Sequence, residues 1–183
     1  FTLLAIITMP ILMYSIAPGF AGHSEKFELT IELTRITFPY LTFMALIALM
    51  GGMLNTMQKF AATAAAPILL NIVLISALVL LNLDVFDHPG FTLAWAVCAA
   101  GIGQFIWIVA AGAKGKLLFR LSWPRLTPGV KRLLTLMAPG LIGAGVVQIN
   151  LVVDVILAST LQEGSVSFLY FADRVNQLPL GVI

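Results

Sequence analysis

The sequence contains very little charge. Only 10% of its 183 residues are Asp, Glu, Lys or Arg, whereas a soluble domain typically carries about 25%. This small number of charges cannot cover the surface of a domain of this size. Most of that surface must therefore face lipid or other apolar helices. A water-soluble globule is therefore excluded. The remaining composition, 60% hydrophobic with a mean hydropathy of +1.04, predicts an integral membrane protein.

Cysteine and catalytic motifs are also scarce. Cys98 is the single cysteine, which excludes a disulfide within the chain and a cysteine-rich zinc cluster. Its apolar surroundings favour a small buried side chain over a reactive thiol. The sequence has no GxSxG, HExxH or CxxC motif and no glycine-rich phosphate loop, and its two histidines, His23 and His88, are isolated. We therefore predict that the protein is not an enzyme.

Long apolar runs dominate what is present. A helix needs about 20 residues to cross the hydrocarbon core of a bilayer. The runs are apolar on every side rather than alternating, which predicts helices and excludes a transmembrane barrel. The predicted fold class is all-α, a polytopic membrane helix bundle with six spans. The predicted spans are 1–17, 36–57, 61–83, 91–113, 133–161 and 165–183. Because the first and last runs reach the chain ends in mid-span, we expect an internal fragment.

The basic residues indicate an orientation. Six of the ten Lys and Arg residues lie within 114–132, which contains no acidic residue. The positive-inside rule places this segment in the cytoplasm, and alternation then places 18–35, 84–87 and Glu163 outside. The cluster is thus a topology signal and does not indicate a nucleic-acid partner. In addition, the spacing of apolar and acidic residues from Ser24 to Thr34 predicts a short interfacial helix before the second span.

Three charged residues fall inside predicted spans: Asp154, Asp173 and Arg174. A charge at the bilayer centre costs about 2.5 to 3.5 kcal/mol on insertion scales, so each is a candidate functional residue. Successive helix residues point about 100° apart, so Asp173 and Arg174 cannot neutralise each other well. Arg174 shares its helix face with Tyr170 and Gln177, a pattern that favours a water-filled cavity. A position near an interface, or pairing with another group, is the alternative.

A second polar group lies in the fifth predicted span. Asn150 and Asp154 are one helical turn apart, and their side chains offer the oxygen ligands that a hard cation prefers. They would form half of a sodium site, and a hydrogen-bonded structural Asp–Asn pair is the alternative. Gln148 lies about 160° around the helix from Asn150, over the small residues Gly140 and Ala144.

Two stretches of the sequence resemble a known family. The first runs from Arg35-Ile-Thr-Phe-Pro39-Tyr through Gly52-Met-Leu-Asn55 to Ala66-Pro67-Ile-Leu-Leu-Asn71. The second runs from Ala138-Pro-Gly140 to Gly164-Ser-Val-Ser-Phe-Leu-Tyr-Phe-Ala-Asp173-Arg174 and Leu178-Pro179-Leu-Gly181. Both are similar to the MurJ/MviN family of lipid II flippases, within the multidrug/oligosaccharidyl-lipid/polysaccharide exporter superfamily.

The resemblance implies an organisation for the chain. The six spans would be about helices three to eight of a two-lobe transporter. Residues 1–113 would end the N-lobe, 114–132 would be a basic cytoplasmic interlobe linker, and 133–183 would begin the C-lobe. The implied protein is a monomeric, multi-pass transporter of the bacterial cytoplasmic (inner) membrane, surrounded by membrane lipids.

The resemblance also implies a site. Arg174 matches the family's cavity arginine, which binds the pyrophosphate of lipid II, an undecaprenyl-pyrophosphate-linked sugar peptide. Asp154 matches an acidic residue that contributes to a sodium site in some members, and Asn150 is its candidate partner. The other candidate substrate-binding residues are Asp173, Gln148, Ser167 and Gln177.

The expected function is therefore alternating-access translocation of lipid II from the inner to the outer leaflet, with a sodium ion as the one candidate cofactor. A first alternative is a cation-coupled exporter of drugs or polysaccharide lipids from the same superfamily. For cationic drugs, its cavity should be dominated by carboxylates. A second alternative is a non-transporting membrane scaffold, which would have no reason to hold Arg174 and Asp154 at membrane depth.

Overall fold

The computed structural model describes residues 1–22, 24–83, 88–114 and 126–182, and every regular element among them is helical. This confirms the all-α prediction. In chain order the elements are α1 (Thr2–Ile7), α2 (Met9–Ile16), a 3₁₀-helix (Pro18–Gly22), α3 (Ser24–Thr37), α4 (Pro39–Thr56), α5 (Phe60–Asn82), α6 (Pro89–Lys114), α7 (Pro128–Ser159) and α8 (Ser165–Val182).

Four helical stretches in the described part of the chain are long and apolar enough to cross a membrane. They are Glu25–Thr56, which joins α3 to α4, and the helices α5, α6 and α7. These four confirm the middle four predicted spans. The helix predicted from Ser24 to Thr34 is present as α3, running directly into α4, and its interfacial position remains a prediction. The sixth predicted span is helical and corresponds to α8. Asp173, Arg174 and Gln177 make α8 less apolar than the four membrane-length stretches.

The first predicted span is broken into two short helices. α1 ends at Ile7, and Thr8 follows with φ −86° and ψ 11° before α2 begins. The break lies just before Pro10, which has no N–H to donate to the carbonyl oxygen of Ile6, four residues earlier. Hydropathy alone predicted one continuous span here, because it does not register this missing donor.

The chain divides into two compact units. One comprises Phe1–Met9 with Leu29–Leu121, and the other Pro10–Glu28 with Ser122–Ile183. The predicted lobe boundaries follow sequence position alone and remain a prediction. Most of the predicted linker, residues 115–125, lies outside the described residues. At its far end, Thr127 caps α7 by accepting a hydrogen bond from the N–H of Val130 at 3.4 Å.

In the first unit, α6 packs against both α4 and α5. The buried core of this packing contains Ile47, Met50, Leu54, Ala66 and Ile108. Large apolar side chains such as Trp95 on α6 and Ile75 on α5 are exposed, as expected of helices that face lipid.

Close approach and polar contacts join these helices. The rings of Tyr40 and Phe43 on α4 pack so tightly against Gly101 on α6 that a Cβ there would lie 2.6 Å from Tyr40 Cδ2. The buried side chain of Gln104 donates from Nε2 to the carbonyl oxygen of Ala66 at 2.7 Å. Trp107 donates from Nε1 to the carbonyl oxygen of Ala62 at 3.0 Å. Both acceptors are backbone carbonyls of α5, so two polar side chains of α6 find their partners across the α5–α6 contact.

In the second unit, α7 packs against α8 and against the 3₁₀-helix. The N–H of Gly19 donates to Oγ of Ser159 at 3.3 Å, and Ser159 itself is buried at the end of α7. The ammonium group of Lys26 forms an ion pair with Glu163 at 3.2 Å, in the turn between α7 and α8. It also lies 4.8 Å from the centroid of the Phe20 ring.

Candidate functional site

The candidate site is a cavity between α7 and α8. The two helices are joined by a short turn that ends at Gly164, whose φ of +91° is a backbone conformation that side chains with a Cβ rarely adopt. This turn lets the two helices pack against each other. Between them lies a partly open cavity of about 430 Å³, lined by Leu151, Asp154, Val155, Val166, Leu169, Tyr170, Asp173, Arg174 and Gln177.

Arg174 is held by two side chains of its own helix. Its Nε donates a hydrogen bond to the hydroxyl oxygen of Tyr170 at 3.1 Å, and its Nη1 donates to Oε1 of Gln177 at 3.4 Å. The guanidinium carbon lies 5.0 Å from the centroid of the Tyr170 ring, within the range of a cation–π interaction. These contacts follow from helical spacing, since residues three and four apart share a face. The semi-polar stripe predicted for α8 is therefore present and lines a cavity.

Gln177 links the two charged neighbours. Its Nε2 donates to Oδ2 of Asp173 at 2.7 Å, while its Oε1 accepts from Arg174. No ion pair joins Asp173 directly to Arg174, both of which lie in the described part of the chain. This agrees with the expectation from their angular separation. The guanidinium is therefore not neutralised at contact distance by its neighbour.

Asp154 lies on the opposite wall of the cavity, on α7. Its side chain is half-buried, and among the described residues it accepts no hydrogen bond, including none from Asn150. Asn150 is exposed and does not line the cavity, although its neighbour Leu151 does. No group of three or more His, Cys, Asp or Glu side chains suited to a metal occurs among the described residues. Asp154 can supply one oxygen ligand to a sodium ion, and the rest of such a shell would need other donors.

Two further candidate residues lie away from this cavity. Gln148 is exposed and does not line this cavity. It is six positions before Asp154, so it points to a different side of α7. Ser167 lies on the same face of α8 as Arg174 but two turns, roughly 10 Å, nearer the start of the helix. There it lines a separate cavity of about 340 Å³ with Lys26 and Ser159.

The structure thus brings together Asp154, Asp173, Arg174 and Gln177 and leaves Gln148, Asn150 and Ser167 outside the cavity. It also adds Tyr170, which the sequence placed on the polar stripe but did not single out as a site residue. The signal was its position four residues before Arg174, the spacing at which an arginine and an aromatic ring meet on a helix.

Comparisons with known proteins identify the family to which the chain is similar. A family model described as lipid II flippase MurJ matches residues 1–183. A probable lipid II flippase MurJ of Rhizobium tropici is 44% identical over 186 residues, covering 100% of this chain and 34% of the relative. The probable lipid II flippase MurJ of Vibrio cholerae is 42% identical over 157 residues, covering 86% of this chain and 30% of the relative.

A lipid II flippase MurJ of Burkholderia cenocepacia is 34% identical over 177 residues, covering 93% of this chain and 34% of the relative. The chain therefore spans about a third of the length of the curated relatives it matches. Its membrane-length helices and these matches make it a part of a multi-pass membrane protein. Because the family model matches from the first residue to the last, the chain belongs to the lipid II flippase MurJ family.

Proposed function

We propose that the full-length protein containing this chain moves lipid II from the inner to the outer leaflet of the bacterial cytoplasmic membrane. The relatives' names support this substrate, and the observation in this chain that carries the proposal is Arg174 in the α7–α8 cavity. On this proposal the protein is a transporter that leaves its substrate chemically unchanged.

The chemistry of the cavity fits the polar part of lipid II. A pyrophosphate needs a partner that keeps its charge when water is removed, and the arginine guanidinium does so. It also makes paired hydrogen bonds to two phosphate oxygens, which a lysine ammonium cannot do. Arg174 has one N–H committed to Tyr170 and one to Gln177, so three of its five N–H donors remain for a ligand.

The charge balance of the cavity shapes the proposal. Its lining contains two carboxylates, Asp154 and Asp173, against the one guanidinium of Arg174. A substrate with a pyrophosphate group would therefore need further positive charge. We expect other segments of the full-length protein to supply it, and a sodium ion held by Asp154 would neutralise one carboxylate.

The same carboxylate excess favours a second candidate, an exporter of cationic compounds. The two candidates predict opposite results for loss of positive charge at position 174. A transporter of cations would be unaffected or improved by Arg174→Ala, whereas a lipid II flippase would lose a phosphate contact.

The test is growth complementation in a strain depleted of its own lipid II flippase, using the full-length protein. We expect Arg174→Ala to abolish complementation at normal expression. Arg174→Lys should be impaired to an intermediate or severe degree, because it keeps the charge and loses the paired geometry. Arg132→Ala is the matched control, since Arg132 is an exposed arginine near the start of α7 and away from the cavity. Full complementation by Arg174→Ala would contradict the proposal.

A further inference from the structure

We propose that Tyr170 is a positioning residue for substrate binding: it fixes the Arg174 guanidinium so that the edge carrying Nη1 and Nη2 is the one presented to the pyrophosphate. This inference rests on the proposed function and assigns a role to a side chain that does not itself need to touch the substrate.

The first step is the double contact between the two side chains. The Tyr170 hydroxyl oxygen accepts from Nε of Arg174 at 3.1 Å, and the ring lies 5.0 Å from the guanidinium carbon. A hydrogen bond alone would leave the guanidinium plane free to turn about that bond. The ring adds a second point of attachment, so one tyrosine restricts both the position and the orientation of the arginine.

The second step concerns the donors that remain. A guanidinium binds two oxygens of an anion through either of two edges, the Nε/Nη2 edge or the Nη1/Nη2 edge. The hydrogen bond from Nε to Tyr170 occupies the first edge. Gln177 takes one N–H of Nη1, and the other N–H of Nη1 stays available together with both of Nη2. The Nη1/Nη2 edge is therefore the one left for a pyrophosphate.

The third step is that the Tyr170 side chain contributes little to the packing of the helices. Its side chain is 54% exposed, and it lines the cavity rather than the buried core. Its other ring contact is an edge contact with Phe171, with centroids 6.0 Å apart. Tyr170→Phe keeps the ring and both ring contacts and removes only the hydroxyl group. The substitution should therefore leave folding unchanged and release the Nε end of the guanidinium.

The experiment is a double-mutant cycle on the full-length protein in detergent micelles, with lipid II as the titrated probe. The variants are Tyr170→Phe, Arg174→Ala and the double substitution. Tyr14→Phe is the matched control, because it removes a hydroxyl group from an exposed tyrosine on α2. We expect Tyr170→Phe to raise the Kd about tenfold, equivalent to ~1.4 kcal/mol, and Tyr14→Phe to leave it unchanged.

The coupling between the two sites tests positioning directly. If Tyr170 acts through Arg174, the tenfold effect should shrink to less than about twofold once Arg174 is alanine. An equal effect of Tyr170→Phe in both backgrounds would overturn the proposal, since it would mean that Tyr170 acts independently of Arg174. If Tyr170→Phe leaves the Kd unchanged while Arg174→Ala raises it, the positioning role of Tyr170 would be overturned and the role of Arg174 would stand. An unchanged Kd for Arg174→Ala would instead overturn the role of Arg174 in the proposed function, and positioning with it.

Discussion

The Nε–H of Arg35 donates a hydrogen bond to the backbone carbonyl oxygen of Ile6, 3.3 Å away. In an uninterrupted helix this carbonyl would accept from the N–H of residue 10, but residue 10 is a proline. Arg35, on α3, thus supplies a donor to the acceptor left where α1 and α2 are broken. In an apolar environment every backbone polar group needs a partner, so this hydrogen bond explains how the helix break is tolerated.

Removing this donor should destabilise the protein. Arg35→Met keeps much of the aliphatic stem and loses the hydrogen bond, so we expect a loss of about 0.5–1.5 kcal/mol, seen as a lower Tm of the full-length protein in detergent. In a Pro10→Ala background, residue 10 regains an N–H for Ile6, and the cost of Arg35→Met should fall. A cost that is equal in both backgrounds would show that Arg35 does not compensate for the proline.

Gly101 should be much harder to replace than Gly103 on the same helix, α6. A Cβ at this position would lie 2.6 Å from Cδ2 of Tyr40 and 3.1 Å from Cδ2 of Phe43, so α4 would have to move or both rings turn. We expect Gly101→Ala to cost about 1–3 kcal/mol. Gly103 lies two residues further along the same helix, and a Cβ there would meet no atom within 4 Å. Gly103→Ala should therefore stabilise the protein slightly, because alanine is more favourable than glycine in a helix by about 1 kcal/mol. Melting temperatures that shift equally in both variants would contradict this packing.

Gly19 should be similarly intolerant, for a different reason. A Cβ there would overlap the backbone carbonyl of Ser159 and lie 2.7 Å from the N of Thr160. We expect Gly19→Ala to displace the 3₁₀-helix from the end of α7 and to lower the Tm. Ser159→Ala should not rescue it, since the conflicting atoms belong to the backbone. Gly143→Ala on α7, with no atom within 4 Å, is the control that should leave the Tm nearly unchanged. Rescue by Ser159→Ala would contradict the assigned clash.

Hydropathy and helical spacing predicted those features that depend on local sequence. The four membrane-length helices follow from apolar runs, and the absence of a direct Asp173–Arg174 ion pair follows from their angle on α8. The convergence of Asp154 with Arg174 on one cavity was not predicted, since spacing within one helix does not say which face meets the next helix.

Other contacts could not be predicted because they join distant segments. Lys26 meets Glu163, 137 positions away, and Gly19 meets Ser159, 140 positions away. Such pairs depend on how helices pack, and in lipid that packing is decided by shape and hydrogen bonds rather than by hydrophobicity. The same holds for Gln104, whose polar side chain in an apolar span is explained only when the carbonyl of Ala66 is placed beside it.

The orientation in the membrane remains a prediction that labelling can test. Single cysteines at Thr127 and at His88 would be introduced in a Cys98→Ala background of the full-length protein. Both positions are exposed in the structure, so access should be limited by the membrane alone. With a membrane-impermeant thiol reagent on intact cells, we expect position 88 to react and position 127 to react only after the cells are opened. The opposite pattern would reverse the orientation predicted from the basic segment.

Sodium binding is the last prediction, and the structure sharpens it by separating the two candidate ligands. Asp154 lines the cavity with a carboxylate that has no hydrogen-bond partner among the described residues, whereas Asn150 lies outside it. If sodium binds at Asp154, a concentration ten times its Kd should stabilise the folded protein by about 1.4 kcal/mol, measured as a rise in Tm. Asp154→Asn should remove most of this rise, because the amide has no charge to offset that of the cation, and Asn150→Ala should retain it. Potassium chloride at equal ionic strength controls for screening. A sodium-dependent rise in Tm that survives Asp154→Asn would show that Asp154 does not bind the ion. If the rise is lost in Asn150→Ala, both residues would be ligands, as the one-turn spacing first predicted.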